Sequence, residues 1–269
     1  LWVTSNLYVP NFVSFPVPGI IAVSDHAGGG KVSDYNQRMG IAFASLGYVT
    51  MVIDSPDRGE LIGGNDHFIN GAQMALTGLW SNSLFVINAI RAIDYLQSRI
   101  DLIDLGKIGM TGTSGGGATT LAAVAIDDRI TAAAACCCVE PLSQCLFSGY
   151  TSCPEYMVPG GLILPLEWAD IASLIAPRPL SITHAIKYSL FTQVCFDLTV
   201  NSVKPFYSLL NVAERFRSIK TNESHTYSAA MREGTYYMFS QWLGNPIGQS
   251  LPAWEDRIRE PKDVRFSPR

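Results

Sequence analysis

This chain predicts an α/β fold with a mostly parallel central sheet flanked by helices, and three observations carry that expectation. Short continuous apolar runs, such as 19–24 (GIIAVS) and 48–54 (YVTMVID), read as strands covered on both faces. They alternate with helix-length stretches of amphipathic spacing, the order expected of strand–helix–strand units. At 107–118 (KIGMTGTSGGGA) an apolar run meets a G-x-S-x-G pentapeptide and then an alanine-rich helix pattern. With 269 residues, 48% of them hydrophobic, the chain can bury a large core, and 1–269 reads as one domain without repeats or linkers.

Composition excludes several classes of function. A net charge of −4 with scattered Lys and Arg argues against nucleic acid as a partner. No apolar run reaches the roughly 18 residues of a membrane span; the nearest, 118–139, is interrupted by Asp127, Asp128 and Arg129. Three of the six cysteines are consecutive, Cys136 to Cys138, in a run that reads as a buried strand, so buried thiols are expected there. Cys145 and Cys153 lie in a loop and suit a disulfide in an oxidising compartment. His26, His67, His184 and His225 show no metal-ligand spacing, and neither a metal nor a cofactor is expected. The chain shows no signal-peptide pattern and begins at Leu1, as a trimmed form would. The sequon at Asn222–Ser224 slightly favours a secreted or periplasmic location.

In chain order, 2–9 is a half-buried strand and 19–24 a central one. The glycine-rich 25–30 (DHAGGG) then follows without phosphate-loop spacing, because Asp25 sits where the first glycine belongs and Val32 where the hydroxyl belongs. Such a loop suits backbone donors to an oxyanion, with Ala27 and Gly28 as candidates, and His26 reads as a brace for it. A helix spans 33–46, closed by Gly47, and 48–54 is the next strand. Residues 55–71 form a loop holding Asp57, Arg58, Glu60 and His67, within reach of a ligand; Arg58 reads more simply as a brace. A long helix covers 78–99, with apolar residues at Leu84, Ile87, Ala89, Ile90, Ile93 and Leu96, before the strand from Lys107.

The strand 131–139 delivers Glu140 to the sheet's C-terminal edge. A lid-like loop at about 141–170 is rich in Gly, Pro and aromatic residues, and Phe147, Tyr150 and 162–166 suit a modest apolar pocket. A short helix (171–176), a strand (179–183), the end of a helix (203–210) and a last strand (214–219) lead to His225 in a polar loop. A closing helix spans 229–243.

The pentapeptide around Ser114 is a nucleophile-elbow pattern, in which a strand turns sharply into a helix and lifts the serine to the tip. Gly112 and Gly116 give clearance, and the helix beginning at Gly115 points its first amides at an oxyanion. The order of nucleophile, acid and a histidine after the last strand is that of the α/β-hydrolase plan, and His225 fills the third place as general base.

The chain resembles the acetylxylan-esterase-like and dienelactone-hydrolase-like α/β-hydrolases of bacterial polysaccharide degradation. The likeness runs over most of the sequence, through DHAGGG, GYVTMVIDSPDRGE, the elbow block 106–135, ADIASLIAPRPL and the ending SHTYSAAMREGTYYMFSQWLG. It implies a cofactor-free serine carboxylesterase acting on small acyl esters, often acetyl groups on sugars, with Ser114, Gly115 and His225 carried over directly. The acid is not carried over, for Tyr188 or Ser189 stands where similar proteins place Asp. Glu140 is the preferred substitute, since glucuronoyl esterases place their acid after the corresponding strand; Asp197 is the runner-up, and a dyad or a degenerate site is the remaining possibility. Likeness to glucuronoyl esterases stops there, because they place Arg directly after the serine and this chain has Gly115.

The expectation is therefore ester hydrolysis through an acyl-enzyme, with Ser114, His225 and Glu140 catalytic, Gly115, Ala27 and Gly28 at the oxyanion, and a small-molecule or carbohydrate ester as substrate. The rival readings are a catalytically degenerate binding protein, a peptidase of the same fold and a glucuronoyl-type esterase.

Overall fold

The computed structural model describes residues 2–61, 67–147, 153–161, 163–164, 166–189 and 191–248, with 145–147 through their backbone only. Tyr150, Leu162, Pro165, the side chains of Cys145 and Phe147, and the chain beyond residue 248 lie outside the described residues, so the expected pocket lining is largely outside them too.

Seven strands form one sheet: β1 (Ser5–Tyr8), β2 (Val17–Val23), β3 (Val49–Ile53), β4 (Ile103–Thr113), β5 (Ala132–Cys136), β6 (Leu180–Ala185) and β7 (Phe216–Thr221). Their order is β1-β3-β2-β4-β5-β6-β7. Only β1 runs antiparallel, on β3, and every other pairing is parallel. Among the described residues, eight α-helices connect or close the strands: α1 (Asp34–Ser45), α2 (His67–Leu76), α3 (Asn82–Ser98), α4 (Gly115–Ile126), α5 (Leu142–Phe147), α6 (Trp168–Ser173), α7 (Gln193–Leu209) and α8 (Ala229–Trp242). This is the α/β-hydrolase fold, as the alternation of patterns predicts.

Period-2 alternation explains why both faces of the sheet are covered. Along β2, Val17, Ile21 and Val23 join one apolar cluster with α3, α4, α6 and α7. Ile20 and Ala22 join the other, against Met39 and Phe43 of α1 and Tyr236 and Phe239 of α8. Cys136, Cys137 and Cys138 are buried thiols, as their run predicts; burial pushes the first two up to about 12 and about 11.

The structure departs from the sequence reading at α2 and at α3. Residues 67–71, read as the end of a loop, open α2, whose Gly71 lies so close to Pro154 that a side chain there would clash. The helix expected from residue 78 starts at Asn82, since Gly78 adopts φ 75° and ends the preceding turn. On α3 the buried stripe is Phe85, Val86, Ala89, Ala92, Ile93 and Leu96, and Ile87 is exposed, because the helix turns its opposite side to the sheet. Among the described residues no helix is long and apolar enough to cross a membrane.

Candidate active site

Ser114 sits between β4 and α4 with φ 52° and ψ −126°, a conformation that L residues other than glycine rarely adopt. The strain is held by what surrounds it. A Cβ on Gly112 would run into the Gly116 backbone, and one on Gly116 into the carbonyls of Val23 and Ser24. The Ser114 amide donates to the Cys136 carbonyl at 2.9 Å, and its own carbonyl accepts from Ala118 at 3.0 Å as the first turn of α4. The side chain is 8% exposed, and its hydroxyl faces the phenol of Tyr156, which burial drives well above its usual range.

Gly115 follows, and its space is claimed from above. A Cβ there would stand 2.7 Å from His26 Cε1 and 2.8 Å from Glu155 Oε1. Glycine after Ser114 is thus a packing requirement, imposed by a histidine and a carboxylate that the chain brings from residues 26 and 155.

The glycine loop is fixed by Asp54, which is fully buried. Its carboxylate accepts from the Lys31 amide at 2.7 Å and from Thr4 Oγ1 at 2.7 Å, and it pairs with Lys31 Nζ at 2.5 Å. Within the loop the Ala27 amide donates to Asp25 Oδ1 at 2.8 Å, and the Gly30 amide donates to the Ala27 carbonyl at 2.8 Å. Ala27, expected as an oxyanion donor, therefore spends its N–H inside the loop. Gly28 uses its carbonyl, which accepts from the Gly59 amide at 3.4 Å. Arg58 is a brace, donating through Nε to the His26 carbonyl at 2.8 Å and lying 3.4 Å from His67 Nδ1.

His225 lies in the loop after β7, half-buried, its ring stacked on Tyr188 with centroids 4.0 Å apart and planes 17° apart. Burial lowers its pKa from the ordinary imidazole value; the charge of Asp25 works against that shift and His26 reinforces it. Its Nδ1 is buried and has no hydrogen-bond partner among the described residues, so the bond expected from His225 to Glu140 is not made there. Glu140 is 3% exposed at the C-terminal side of β5. Asp197, the alternative acid, pairs with Lys220 at 2.7 Å on α7 and lies half-exposed. A carboxylate whose charge acts on His225 is Asp25, which sequence reading placed only as a loop residue.

A second assembly was not legible in the sequence. His26 and His67 stack with centroids 4.4 Å apart and planes 9° apart. His26 Nε2 lies 2.9 Å from Glu155 Oε1, and His67 Nε2 lies 4.0 Å from Glu155 Oε2. With Cys153 they form a group whose potential ligand atoms all fall within 4.8 Å of one another. Local spacing rules find ligands a few residues apart, whereas these come from the ends of β2 and α2 and from the segment before α6.

No protein-family model matches the chain, and no curated protein matches it. Solved structures do. The chain is similar to methylesterase BT1017, with a TM-score of 0.72 and 22% identity over 90% of this chain. It spans 52% of that protein, about half its length. Similar too is a glucuronoyl esterase from Solibacter usitatus, with a TM-score of 0.69 and 16% identity, covering 89% of this chain and 76% of the other. Est1E from Butyrivibrio proteoclasticus, solved with ferulic acid, gives a TM-score of 0.63 at 14% identity, covering 90% and 95% of the two chains.

Proposed function

We propose that the chain is a serine carboxylesterase that hydrolyses small acyl esters through an acyl-enzyme, acetyl esters on carbohydrate being the substrate class we favour. The observation that carries this reading is the backbone of Ser114, held at φ 52° on a strand-to-helix turn with the N-terminal amides of α4 beside it. The methylesterase and glucuronoyl esterase among the similar structures lend support to the ester, and the carbohydrate follows from the resemblance in sequence.

In this reading Ser114 Oγ attacks the ester carbonyl while His225 takes its proton, giving a tetrahedral oxyanion. The Gly115 amide holds that oxygen together with Gly28; Ala27 joins only if its bond to Asp25 is exchanged. His225 returns the proton to the leaving alcohol, then activates the water that releases the acid. Glu140 serves as the acid, closing on His225 Nδ1 when substrate binds, since catalytic hydrogen bonds often tighten only in the complex.

Hydrolysis of p-nitrophenyl acetate by the parent, Ser114→Ala, His225→Ala and Glu140→Gln tests the assignment. Each variant should lose roughly 10³-fold or more in kcat with its circular dichroism unchanged. An active Glu140→Gln would remove Glu140 from the triad, and an unaffected Ser114→Ala would end the catalytic reading.

A second reading has its own observation: Tyr188 stacks on His225 where similar proteins carry the acid, which suits a hydrolase-fold binding protein. Labelling by a fluorophosphonate separates the two, since a binding protein without an activated serine stays unlabelled.

A further inference from the structure

Glu155 is fully buried, and neither of its carboxylate oxygens has a hydrogen-bond donor among the described residues. His26 Nε2 lies 2.9 Å from Oε1 but makes no hydrogen bond with it. A carboxylate held this way is costly unless a cation compensates it. Around it stand two imidazoles and the Cys153 thiol, every donor atom within 4.8 Å of the others. A tetrahedral zinc-class ion with ligands at about 2.0–2.3 Å needs its donors about 3.4–3.7 Å apart, within reach of side-chain rotation from this arrangement.

We propose that His26, His67, Cys153 and Glu155 form a binding site for a zinc-class transition-metal ion, set against the α-carbon of Gly115. The donor set points to the class, for imidazole and thiolate favour zinc over magnesium or calcium, which take oxygen ligands. Charge points the same way. Arg58, 3.4 Å from His67 Nδ1, opposes any cation, and the two anionic donors, Cys153 as thiolate and Glu155, balance a divalent one. On binding, Cys153 releases its proton to solvent. His67 opens α2, and the carbonyl of Glu155 accepts from Trp80 Nε1 at 2.9 Å, so two of the ligands sit on anchored backbone.

The proposal is independent of ester hydrolysis and is tested by binding alone. Tag-free parent protein, stripped with a chelator and kept reduced, is titrated with Co²⁺ and then displaced with Zn²⁺. One equivalent should give the visible bands of tetrahedral cobalt with a near-ultraviolet thiolate band, both lost as zinc enters. Cys153→Ser should lose the thiolate band, and Glu155→Gln and His67→Gln should weaken binding by more than about 100-fold, with circular dichroism checking the fold. A parent that shows no tetrahedral cobalt spectrum when reduced would overturn the site, as would a thiolate band that survives in Cys153→Ser. Should the variants misfold, the parent spectrum and its zinc content still decide the question.

Discussion

The two sides of the candidate active site are built differently. The nucleophile side is twelve contiguous residues in which backbone crowds backbone: Gly112 against Gly116, and Gly116 against the carbonyls of β2. The base side is assembled from distant parts: Asp25 after β2, Tyr188 after β6 and His225 after β7, with a stacked ring where a carboxylate is expected. A position fixed by main-chain contacts has one solution, and its strain is carried by the whole β4–α4 unit. One fixed by side-chain stacking and a distant charge is softer. Hence the elbow should fail abruptly on substitution, while the base side should change by degrees.

The largest effect is expected at Gly116. Alanine there forces its Cβ into β2 and should cost more than about 4 kcal/mol, read by denaturant unfolding. An unfolding midpoint close to the parent's would show that the elbow gives way as easily as the base side.

A histidine on the same sheet edge sets the scale for a fully buried ring. His184 stacks on Phe196 with its pKa lowered to about 4, first by burial and then by Lys220, with Asp197 opposing. Because the unfolded chain binds this proton near pH 6.5 and the folded chain does not, the stabilisation is complete above pH 6.5. It is lost as pH falls toward 4, by about 3 kcal/mol. His184→Gln should flatten that part of the stability profile, and an unchanged slope would remove this histidine as its cause.

Smaller is the strain at Ser114. Ser114→Gly should raise stability by about 1–2 kcal/mol while abolishing fluorophosphonate labelling, whereas Ser114→Ala loses labelling without that gain. Equal melting temperatures for the two variants would mean that the φ of 52° is not strained.

The smallest effect is expected at Asp25. In the proposed mechanism the base is neutral His225, so activity should fall as pH drops through its lowered pKa, and the charge of Asp25 holds that pKa up. Asp25→Asn should move the acid limb of the kcat/KM profile to still lower pH, by less than about one pH unit. A shift to higher pH would reverse the electrostatic assignment.

The succession of strands and helices, the elbow pattern and the place of His225 after the last strand were legible because each rests on a local pattern: continuous apolar runs for parallel strands, glycines for a turn without room for side chains, a polar loop after the last strand. Helix α2 was missed because its first turn follows a glycine-containing stretch of sequence and its face is defined by close approach to Pro154. The engagement of the Ala27 amide was invisible for a similar reason, since it depends on which way Asp25 turns.

The sequence by itself determined the α/β class, the elbow pattern around Ser114 and the order of the candidate residues, since those follow from the spacing of apolar residues and glycines along one chain. Only the tertiary structure decided that Gly115 must be glycine beneath His26 and Glu155, that Asp25 is the charge felt by His225, and that two histidines, a cysteine and a buried carboxylate converge. Those facts come from residues up to 200 positions apart, whose meeting is set by how the sheet stacks its loop ends and not by any local preference.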